Sequence, residues 1–302
     1  MWTPQRQGQL RAEAMEWLSA RTRDGLDALT SDAIAEFAFE GERFRLMDPQ
    51  RGIRKPAAFS SALSIRTVWR PEGADRPYED DIGNDGRLRY KWRGTDPDHA
   101  ENRALRAAMD SGQPLIWFWG VGHALYQAIF PIYVVHEERP LNQFVIATEG
   151  LQLALPTRSP MEEVMRRYLR AETMRRLHQP VFRGMVMRAY EQSCAVCGLR
   201  HSELLDAAHI VEDRHELGVA AVRNGLALCK IHHAAFDTGI LGVRPDLLVQ
   251  IREDILKETD GPMLEHGLKA LNDQRLRVLP RSRREWPDLD LLAVRYERFN
   301  AS

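Results

Sequence analysis

The stretch from residue 194 to residue 237 holds most of the side chains in this chain whose types and spacing could do chemistry. It opens with a Cys-x-x-Cys pair, Cys194 and Cys197, and a Cys-x-x-His pair, Cys229 and His232, follows. Two ligand pairs of this spacing can close a tetrahedral site around one zinc ion, whose binding would tie two distant loops together. The chain has 3 cysteines, an odd number that favours a metal site in a reducing compartment over a disulfide framework. The alternatives are two unrelated pairs or a redox Cys-x-x-Cys, which would need neither Cys229 nor His232.

Three further residues in this stretch suit the hydrolysis of a phosphodiester bond. They are His209, Asn224 and His233, separated by 15 and 9 positions. This hydrolysis needs an activated water, a cation on the phosphate and a stabilised leaving oxygen. A histidine can take a proton from water near neutral pH. Asp237 follows His233 by four positions, so on a helix the two side chains share one face and could bind one divalent ion.

The combination of these residues, flanked by the two ligand pairs, resembles the HNH (ββα-metal) nuclease family over roughly residues 180–245. The resemblance implies that His209 is the general base that activates water. It implies that Asn224 orients this base or braces the metal loop, and that His233 binds the catalytic metal ion. We therefore expect a structural Zn²⁺ at the Cys/His pairs and a catalytic divalent cation, Mg²⁺ or Mn²⁺, at His233 and Asp237.

One position departs from the family pattern. Many HNH proteins carry a metal-binding Asp or His immediately before the base, where this chain has Ala208. Residues two apart on a strand share a face, so Asp206 points the same way as Ala208. Asp206 could therefore bind the ion directly or through water, or serve as a turn or supporting carboxylate.

A second group of residues lies in the N-terminal half of the chain. Tyr78 and Asp81 belong to a Tyr-Glu-Asp-Asp string, and Tyr90 follows Tyr78 by twelve positions, with Trp92 on the same strand face as Tyr90. Their order resembles the SRA domain, a PUA-like module that binds a modified cytosine flipped out of duplex DNA, over roughly residues 42–148. The resemblance implies that Tyr78 and Tyr90 sandwich the base and that Asp81 accepts a hydrogen bond from the cytosine edge. Trp92 could add to the pocket by its position alone. The alternative is that the tyrosines are half-buried strand aromatics and the acidic run is a solvated turn.

The glycines that this family usually has before its first tyrosine are replaced by Arg76-Pro77, and Lys91-Trp92 follows Tyr90 in place of a small polar pair. The size of the pocket can therefore differ from that of the family. The identity of the modification stays open.

The elements that would position these side chains follow from hydrophobic periodicity. Residues 6–40 read as helical, with Asp32 after Ser31 as a helix start, and residues 99–111 as a second helical stretch. Strands are predicted by alternating or apolar runs at residues 62–69, 87–92, 114–119, 129–135 and 144–147. Residues 148–160 are predicted to be a linker, followed by helix to about residue 190 with a break at Pro180.

These elements indicate an α+β chain made of three parts. Residues 1–150 are predicted to form an SRA/PUA-like β-rich DNA-reading domain with N-terminal helices. Residues 151–190 are predicted to be a helical linker. Residues 191–302 are predicted to form a zinc-containing ββα-metal HNH domain with a C-terminal extension, whose tail (243–302) carries little signal.

Composition and charge set limits on these expectations. The chain has 302 residues, of which 44% are hydrophobic, and a net charge of −1, so overall charge gives no support to DNA binding. Residues 161–190 nevertheless carry seven arginines against three glutamates, which could lie along phosphates or form a solvated helix face. There is no apolar signal sequence and no apolar run of about 18 residues, so we expect a cytoplasmic protein without a membrane span.

These observations together lead to one hypothesis and two alternatives. The hypothesis is a modification-dependent (type IV-like) restriction endonuclease that flips a modified cytosine of double-stranded DNA into the N-terminal pocket and cuts nearby. Because one HNH site cuts one strand, a homodimer would account for a double-strand break. The alternatives are an HNH nuclease or nickase indifferent to modification, and a non-catalytic reader of modified DNA.

Overall fold

The computed structural model describes residues 2–70, 87–148, 179–212 and 221–301. The chain divides into two compact units, Met1–Val181 and Phe182–Ser302. Both units mix helices with strands, as the sequence predicts. None of the described helices is long and apolar enough to span a membrane.

The described part of the first unit consists of helices, a seven-stranded sheet and a separate two-stranded sheet. Its helices are α1 (Pro4–Thr22), α2 (Ser31–Ile34) and α3 (Ala100–Asp110). Its strands are β1 (Leu29–Thr30), β2 (Ala38–Phe39), β3 (Glu42–Arg43), β4 (Ile53–Arg54), β5 (Ser64–Thr67), β6 (Leu88–Lys91), β7 (Leu115–Gly122), β8 (Leu125–Glu138) and β9 (Gln143–Thr148). The predicted helix at residues 99–111 and all five predicted strands are confirmed.

The prediction of helix over residues 6–40 is only partly right. Helix α1 ends at Thr22, because the chain turns into left-handed conformations at Arg23 (φ 50°) and at Gly25 (φ 82°). Helix α2 is a single turn, and its N-cap is Thr30, whose Oγ1 accepts a hydrogen bond from the Ala33 N–H. Strand β1 occupies the gap and pairs with β8.

The main sheet of the first unit has the strand order β4-β5-β7-β8-β9-β6, with β5 and β7 parallel and the other pairs antiparallel. The sheet is curled, and a contact between its two edges shows this: a side chain of β6, at one edge, reaches the backbone near β4, at the other edge. The hydroxyl of Tyr90 on β6 donates to the carbonyl oxygens of Gly52 (3.1 Å) and Arg66 (3.3 Å), beside β4 and on β5. Helix α1 covers part of this sheet with a stripe of fully buried residues, Leu10, Ala14 and Leu18.

The second unit is built on a short β-hairpin. Its strands are β10 (Leu205–His209), β11 (Gly225–Cys229), β12 (Leu241–Val243) and β13 (Val249–Ile251). Its helices are α4 (Gln179–Ala189), whose first residues precede the unit boundary, α5 (Lys230–Asp237), α6 (Glu253–Lys257), α7 (Pro262–Gly267) and α8 (Leu289–Asn300). The predicted helix break at Pro180 borders residues that lie outside the described part of the chain. The predicted linker at residues 148–160 lies almost wholly outside the described residues.

The C-terminal extension is part of the core of the second unit. Leu247, Leu276 and Leu292 are buried in the same hydrophobic cluster as the hairpin. Arg295 of α8 donates to the carbonyl oxygen of Phe236 at 2.6 Å, and its guanidinium lies 4.6 Å from the centre of the Phe236 ring. A cation at the C-terminal end of a helix complements the helix dipole, so α8 stabilises the end of α5.

Candidate active site and metal centre

The site is organised by the β10–β11 hairpin and the helix that follows it. The two strands are antiparallel, and their register pairs His209 with Gly225 and Leu205 with Cys229. Helix α5 starts directly after β11 and contacts both strands. The order strand, strand, helix is the ββα arrangement that the sequence predicts for this stretch.

The four predicted zinc ligands come together at one end of this hairpin. One ligand atom from each of Cys194, Cys197, Cys229 and His232 lies within 4.8 Å of the others. The Nδ1 atom of His232 is 3.1 Å from Cys229 Sγ and 3.5 Å from Cys194 Sγ. Sulfur and nitrogen ligands around one tetrahedral zinc ion, with bonds of about 2.3 and 2.0 Å, stand at separations of this size. The donor set therefore fits a Cys₃His metal site, as predicted.

Hydrogen bonds between these four side chains shift their pKa values. The Cys194 thiol holds the pKa of Cys229 below its ordinary value and raises the pKa of Cys197. Burial lowers the pKa of His232, but hydrogen bonds with Cys194 and Cys229 outweigh it and raise this pKa to about 10. A divalent ion needs thiolates and a neutral imidazole, so its binding would release protons from this cluster.

The C-terminal extension fixes the orientation of the histidine ligand. The Nε2 atom of His232 lies 2.8 Å from the carbonyl oxygen of Gly267 at the end of α7. Donation from Nε2 to this carbonyl leaves Nδ1 as the free lone pair that faces the thiols. The extension therefore selects the tautomer that a metal ion requires.

His209, the predicted general base, is held by a stacking contact with α4. The imidazole and the Phe182 ring are nearly parallel, with an angle of 10° and a centroid distance of 3.8 Å. Gly225, directly across the ladder from His209, makes room for this contact. A Cβ atom there would lie 2.8 Å from Phe182 Cζ and 2.5 Å from Val186 Cγ2. Gly225 has an extended backbone (φ −133°) that any residue can adopt. A glycine is therefore needed at this position so that Phe182 and Val186 can approach the strand closely, and not for its conformational freedom.

Asn224 braces the loop that leaves His209. Its side-chain Oδ1 accepts from the Val211 N–H and its Nδ2 donates to the Val211 carbonyl, both at 2.9 Å. The Ile210 N–H also donates to the Asn224 carbonyl, at 2.9 Å. Asn224 is buried, so these bonds form out of water. This side chain therefore ties the backbone just after His209 to the start of β11.

His233 lies between the two carboxylates predicted to share its metal ion. Its Nε2 atom is 3.3 Å from Asp237 Oδ2, and its Nδ1 atom is 3.8 Å from Asp206 Oδ2. A separation near 3 Å is that of neighbouring ligands around an octahedral ion with bonds of about 2.1 Å. His233 and Asp237 therefore fit as two ligands of one ion. Because Asp206 faces the opposite ring nitrogen, it fits better as the carboxylate that orients His233.

Two cations also hold Asp206 in place. Lys230 Nζ lies 3.1 Å from Asp206 Oδ2, and Arg183 Nε lies 3.5 Å from Asp206 Oδ1. Arg183 is buried and also donates to the Leu205 carbonyl at 3.1 Å. Across the described ranges, Cys194, Cys197, Cys229 and His232 form the one group of three or more ligand atoms within 4.8 Å. Asp206, His233 and Asp237 therefore meet in pairs and not as a closed triad.

The structure places the predicted site residues of the second unit in two neighbouring arrangements. Asp206, His233 and Asp237 form one cluster between β10 and α5, while His209 packs on α4 and Asn224 braces the loop after it. Asp206 and His209 belong to the same strand, three residues apart, which is about 10 Å along the chain.

The predicted base-reading residues are described only in part. Tyr78 and Asp81 lie outside the described residues. Tyr90 and Trp92 are buried on one face, as the alternation predicts, with 7% and 3% of their surface exposed. The Tyr90 ring meets Trp117 edge-on at 5.6 Å, and the Trp92 ring lies 6.2 Å from Phe144. Both side chains therefore help to form the interior of the curled sheet.

Several contacts of this site are missing from the sequence prediction. Phe182 and Arg183 come from a helix that the sequence presents only as a basic linker, and no signal indicates their contacts. Lys230 could have been found, since it precedes His233 by three positions and shares its helical face. Gly225 carries a weak signal, because a glycine inside a strand often marks a close approach.

The basic stretch predicted at residues 161–190 includes two described arginines, and both already have protein partners. Arg183 is buried against β10, and Arg188 forms an ion pair with Glu285. These two side chains are therefore not part of a phosphate-binding face, whereas the other five lie outside the described residues.

Comparison with known proteins agrees with this geometry. Residues 194–244 match the family model of HNH endonucleases. A solved structure described as "Modification dependent TagI restriction endonuclease" is similar over 82% of this chain and 85% of that chain, with 19% identity and a TM-score of 0.31. Another, the "Type IV phosphorothioation-dependent restriction endonuclease ScoMcrA", is similar over 57% of this chain and 49% of that chain, with 14% identity and a TM-score of 0.19. No curated protein matches the chain. The matched segment contains the Cys/His cluster, His209, Asn224 and His233, and residues 194–244 are thus similar to the nuclease domain of HNH endonucleases.

Proposed function

We propose that this chain is a modification-dependent DNA endonuclease, in which the first unit reads a modified cytosine and the HNH site hydrolyses a nearby phosphodiester bond. The observation that carries the nuclease part is the arrangement around the hairpin. A histidine clamped on β10 and a histidine–carboxylate pair on α5 belong to one ββα element.

His209 acts as the general base in this proposal. Its imidazole accepts a proton from the water that attacks phosphorus, and one P–O bond forms while the bond to the leaving sugar oxygen breaks. The stacked Phe182 ring limits rotation of the imidazole, and its π face favours the imidazolium that forms. Asn224 holds the backbone just after His209, so the base keeps its orientation through the reaction.

His233 and Asp237 would hold the catalytic divalent ion, and Asp206 would orient His233 from the opposite ring nitrogen. One imidazole and one carboxylate suit Mn²⁺ and accept Mg²⁺. When bound, such an ion supplies Lewis-acid stabilisation of charge on the scissile phosphate. Lys230, exposed beside Asp206, adds a positive charge at the same place.

Zn²⁺ is the ion we propose for the Cys₃His cluster, in a structural role. Cys194, Cys197, Cys229 and His232 would supply all four ligands of a tetrahedral ion, which would leave no open coordination site for a substrate. Its function would be to hold the loop at Cys194 against the start of α5.

The proposed reader is the first unit, with Tyr78, Tyr90 and Asp81 around the flipped base and Trp92 beside them. The described part supports this proposal in one respect. The curled sheet has an aromatic interior where Tyr90 meets Trp117, and aromatic faces compensate a flipped base for its lost stacking. The hydroxyl of Tyr90 is bound to backbone carbonyls, so this residue would present its ring and not its hydroxyl to a base.

Since each HNH site would cut one strand, we further propose that two copies act together on duplex DNA. Double-strand cleavage with second-order dependence on enzyme concentration is the expected result. Nicked circles as the only product would contradict the homodimer and leave the nuclease intact.

The test of the proposed function is cleavage of one plasmid in three forms, unmodified, 5-methylated and 5-hydroxymethylated at cytosine, with Mg²⁺ or Mn²⁺. We expect cleavage of at least one modified form and little of the unmodified plasmid. Equal cleavage of all three would support an HNH nuclease that ignores modification. Binding of modified DNA without any cleavage would support a non-catalytic reader. His209→Ala should abolish cleavage and retain DNA binding, and Asp81→Ala should weaken binding to modified DNA more than to unmodified DNA.

A further inference from the structure

The C-terminal extension carries a run of arginines that none of the roles above uses. Between residues 274 and 284 there are five arginines and no acidic residue, in a chain whose net charge is −1. All five side chains are exposed: Arg275, Arg277, Arg281, Arg283 and Arg284. We refer to residues 274–284 as the arginine segment.

The acidic residues near the arginine segment are already paired, mostly with cations outside it. Glu285 forms an ion pair with Arg188, and Asp288 pairs with Arg223 at 2.7 Å. Within the segment, Arg281 pairs with Glu191. The guanidinium of Arg283 lies 5.2 Å from the Trp286 ring centre. Among the described residues, most of the positive charge of the segment is therefore not balanced by acidic neighbours.

The backbone of the arginine segment is attached to the zinc cluster. The N–H groups of Arg277 and Val278 both donate to the carbonyl oxygen of Ala195, at 2.8 and 3.2 Å. Ala195 lies between the ligands Cys194 and Cys197, and its own N–H donates to Ala227 of β11 at 2.7 Å. Two backbone hydrogen bonds thus connect Arg277, through Ala195, to the hairpin that carries His209.

Burial alternates along the same backbone. Leu276 is buried in the core of the second unit, while Arg275 and Arg277 on either side of it are exposed. Alternation of this kind directs both arginines to one face, away from the core. Further along, the Trp286 side chain donates to the Pro280 carbonyl at 2.7 Å and fixes the second half of the segment. The charges are therefore displayed on an ordered surface and not on a free tail.

We propose that the arginine segment is a phosphate-binding surface for double-stranded DNA that holds the duplex beside the HNH site. Guanidinium groups bind phosphate oxygens through paired hydrogen bonds, and each contact releases counterions from the DNA. The contact is independent of base sequence and of base modification, because it engages only the backbone. This inference rests on the proposed function, since it takes duplex DNA as the substrate.

The test compares two triple variants in the inactive His209→Ala background. In the first, Arg275→Ala, Arg277→Ala and Arg284→Ala remove three charges from the arginine segment. In the matched control, Arg244→Ala, Arg252→Ala and Lys257→Ala remove three cations of the same unit that pair with their own acidic neighbours. Both variants change the net charge by the same amount. A third variant with lysine at the three segment positions retains the charge.

The readout is the dissociation constant for an unmodified duplex at several salt concentrations. Each lost phosphate contact lowers the slope of log Kd against log salt by about 0.9, so the segment variant should lower it by about 2 to 3. We expect the control to keep the parent slope and the lysine variant to recover most of it. Thermal unfolding of the three variants should agree closely, because exposed substitutions change stability little.

A segment variant with the parent slope, or a control with the same loss, would overturn this proposal while leaving the proposed function intact. Absence of duplex binding by the His209→Ala parent itself, modified or not, would overturn the proposed function as well. If the alanine variant fails to fold, glutamine at the same three positions removes the charge and keeps the polar side chain, with the same expected slope.

Discussion

Gly225→Ala tests whether close packing of α4 on the hairpin holds the general base. The added Cβ would lie 2.5 Å from Val186 Cγ2 and 2.8 Å from Phe182 Cζ. Carbon atoms in contact prefer about 3.5–4.0 Å, so one or both side chains must move by roughly 1 Å. Val186 and Phe182 are 0% and 2% exposed, which leaves them little room to move.

Overpacking of this kind costs about 1–3 kcal/mol, and the lower chain entropy of alanine offsets about 0.4–1 kcal/mol of that cost. We expect the second unit to unfold several degrees lower, since each kcal/mol shifts Tm by about 3–6 °C in a unit of this size. Cleavage should fall more than stability explains, because a shift of Phe182 disturbs its stacking on His209. Single-turnover cleavage at a temperature where both proteins are folded measures that loss.

The matched control is Gly261→Ala. Gly261 belongs to the same unit, has a negative φ of −70° and has nothing within 4 Å of a built Cβ. A rescue variant, Val186→Ala together with Gly225→Ala, removes the nearest clash and should destabilise less than the two single changes added together. If Gly225→Ala unfolds and cleaves like the Gly261→Ala control, or if the double variant is additive, the packing argument is wrong.

Three further expectations concern the loop, the metal centre and the first unit. Asn224→Ala removes both hydrogen bonds to Val211 and leaves buried groups unpaired, so it should lower the free energy of unfolding by about 2–4 kcal/mol, measured by denaturant unfolding. It should also reduce cleavage at least tenfold in single-turnover kinetics. Full activity would show that Asn224 does not brace the chain after His209. Cys229→Ser, or a strong chelator, should remove about one zinc per chain, as measured by elemental analysis, and lower the Tm of the second unit; an unchanged Tm would contradict a structural ion. Glu137→Gln breaks a paired contact with Arg106, whose hydrogen bond holds the pKa of Glu137 below its ordinary value. The wild-type pair should add about 1–2 kcal/mol to the free energy of unfolding at pH 7 and should lose this contribution as the pH falls through the lowered pKa, below about 4.5. The Tm difference between the two proteins should therefore shrink in acid. A Tm difference that is constant with pH would exclude the ion pair as its cause.

The metal centre could be predicted from the sequence because its ligands are local in the chain. Cys194 and Cys197 share one turn, and Cys229 and His232 share another, so residue spacing alone determines which side chains can point at one ion. The contact between His233 and Asp237 could be predicted for the same reason, since a four-residue step on a helix brings two side chains together.

The surroundings of His209 could not be predicted in the same way. Phe182 is 27 positions upstream of His209, and its contact depends on how α4 packs on the hairpin, which periodicity does not specify. The support of Asp206 by Arg183 has the same origin. In the first unit the predicted strands are correct, but their order and the curl of the sheet come from long-range pairing. The sequence prediction therefore named His209 and His233 as candidate reacting groups, and it left out the residues that contact them, such as Phe182 and Arg183.

His232, proposed to bind zinc, and His233, proposed to bind the catalytic ion, are neighbours on one short helix, and this explains why the second unit needs its extension. Successive residues on a helix point about 100° apart, so His232 can face the thiols while His233 faces Asp237. A helix of 8 residues has too little intrinsic stability to hold that orientation alone. It is fixed at its start by the Cys/His cluster and the Gly267 carbonyl, and at its end by Arg295. Two of these three restraints come from residues after 243, so the extension supports the helix that carries His232 and His233 and is not an appended tail.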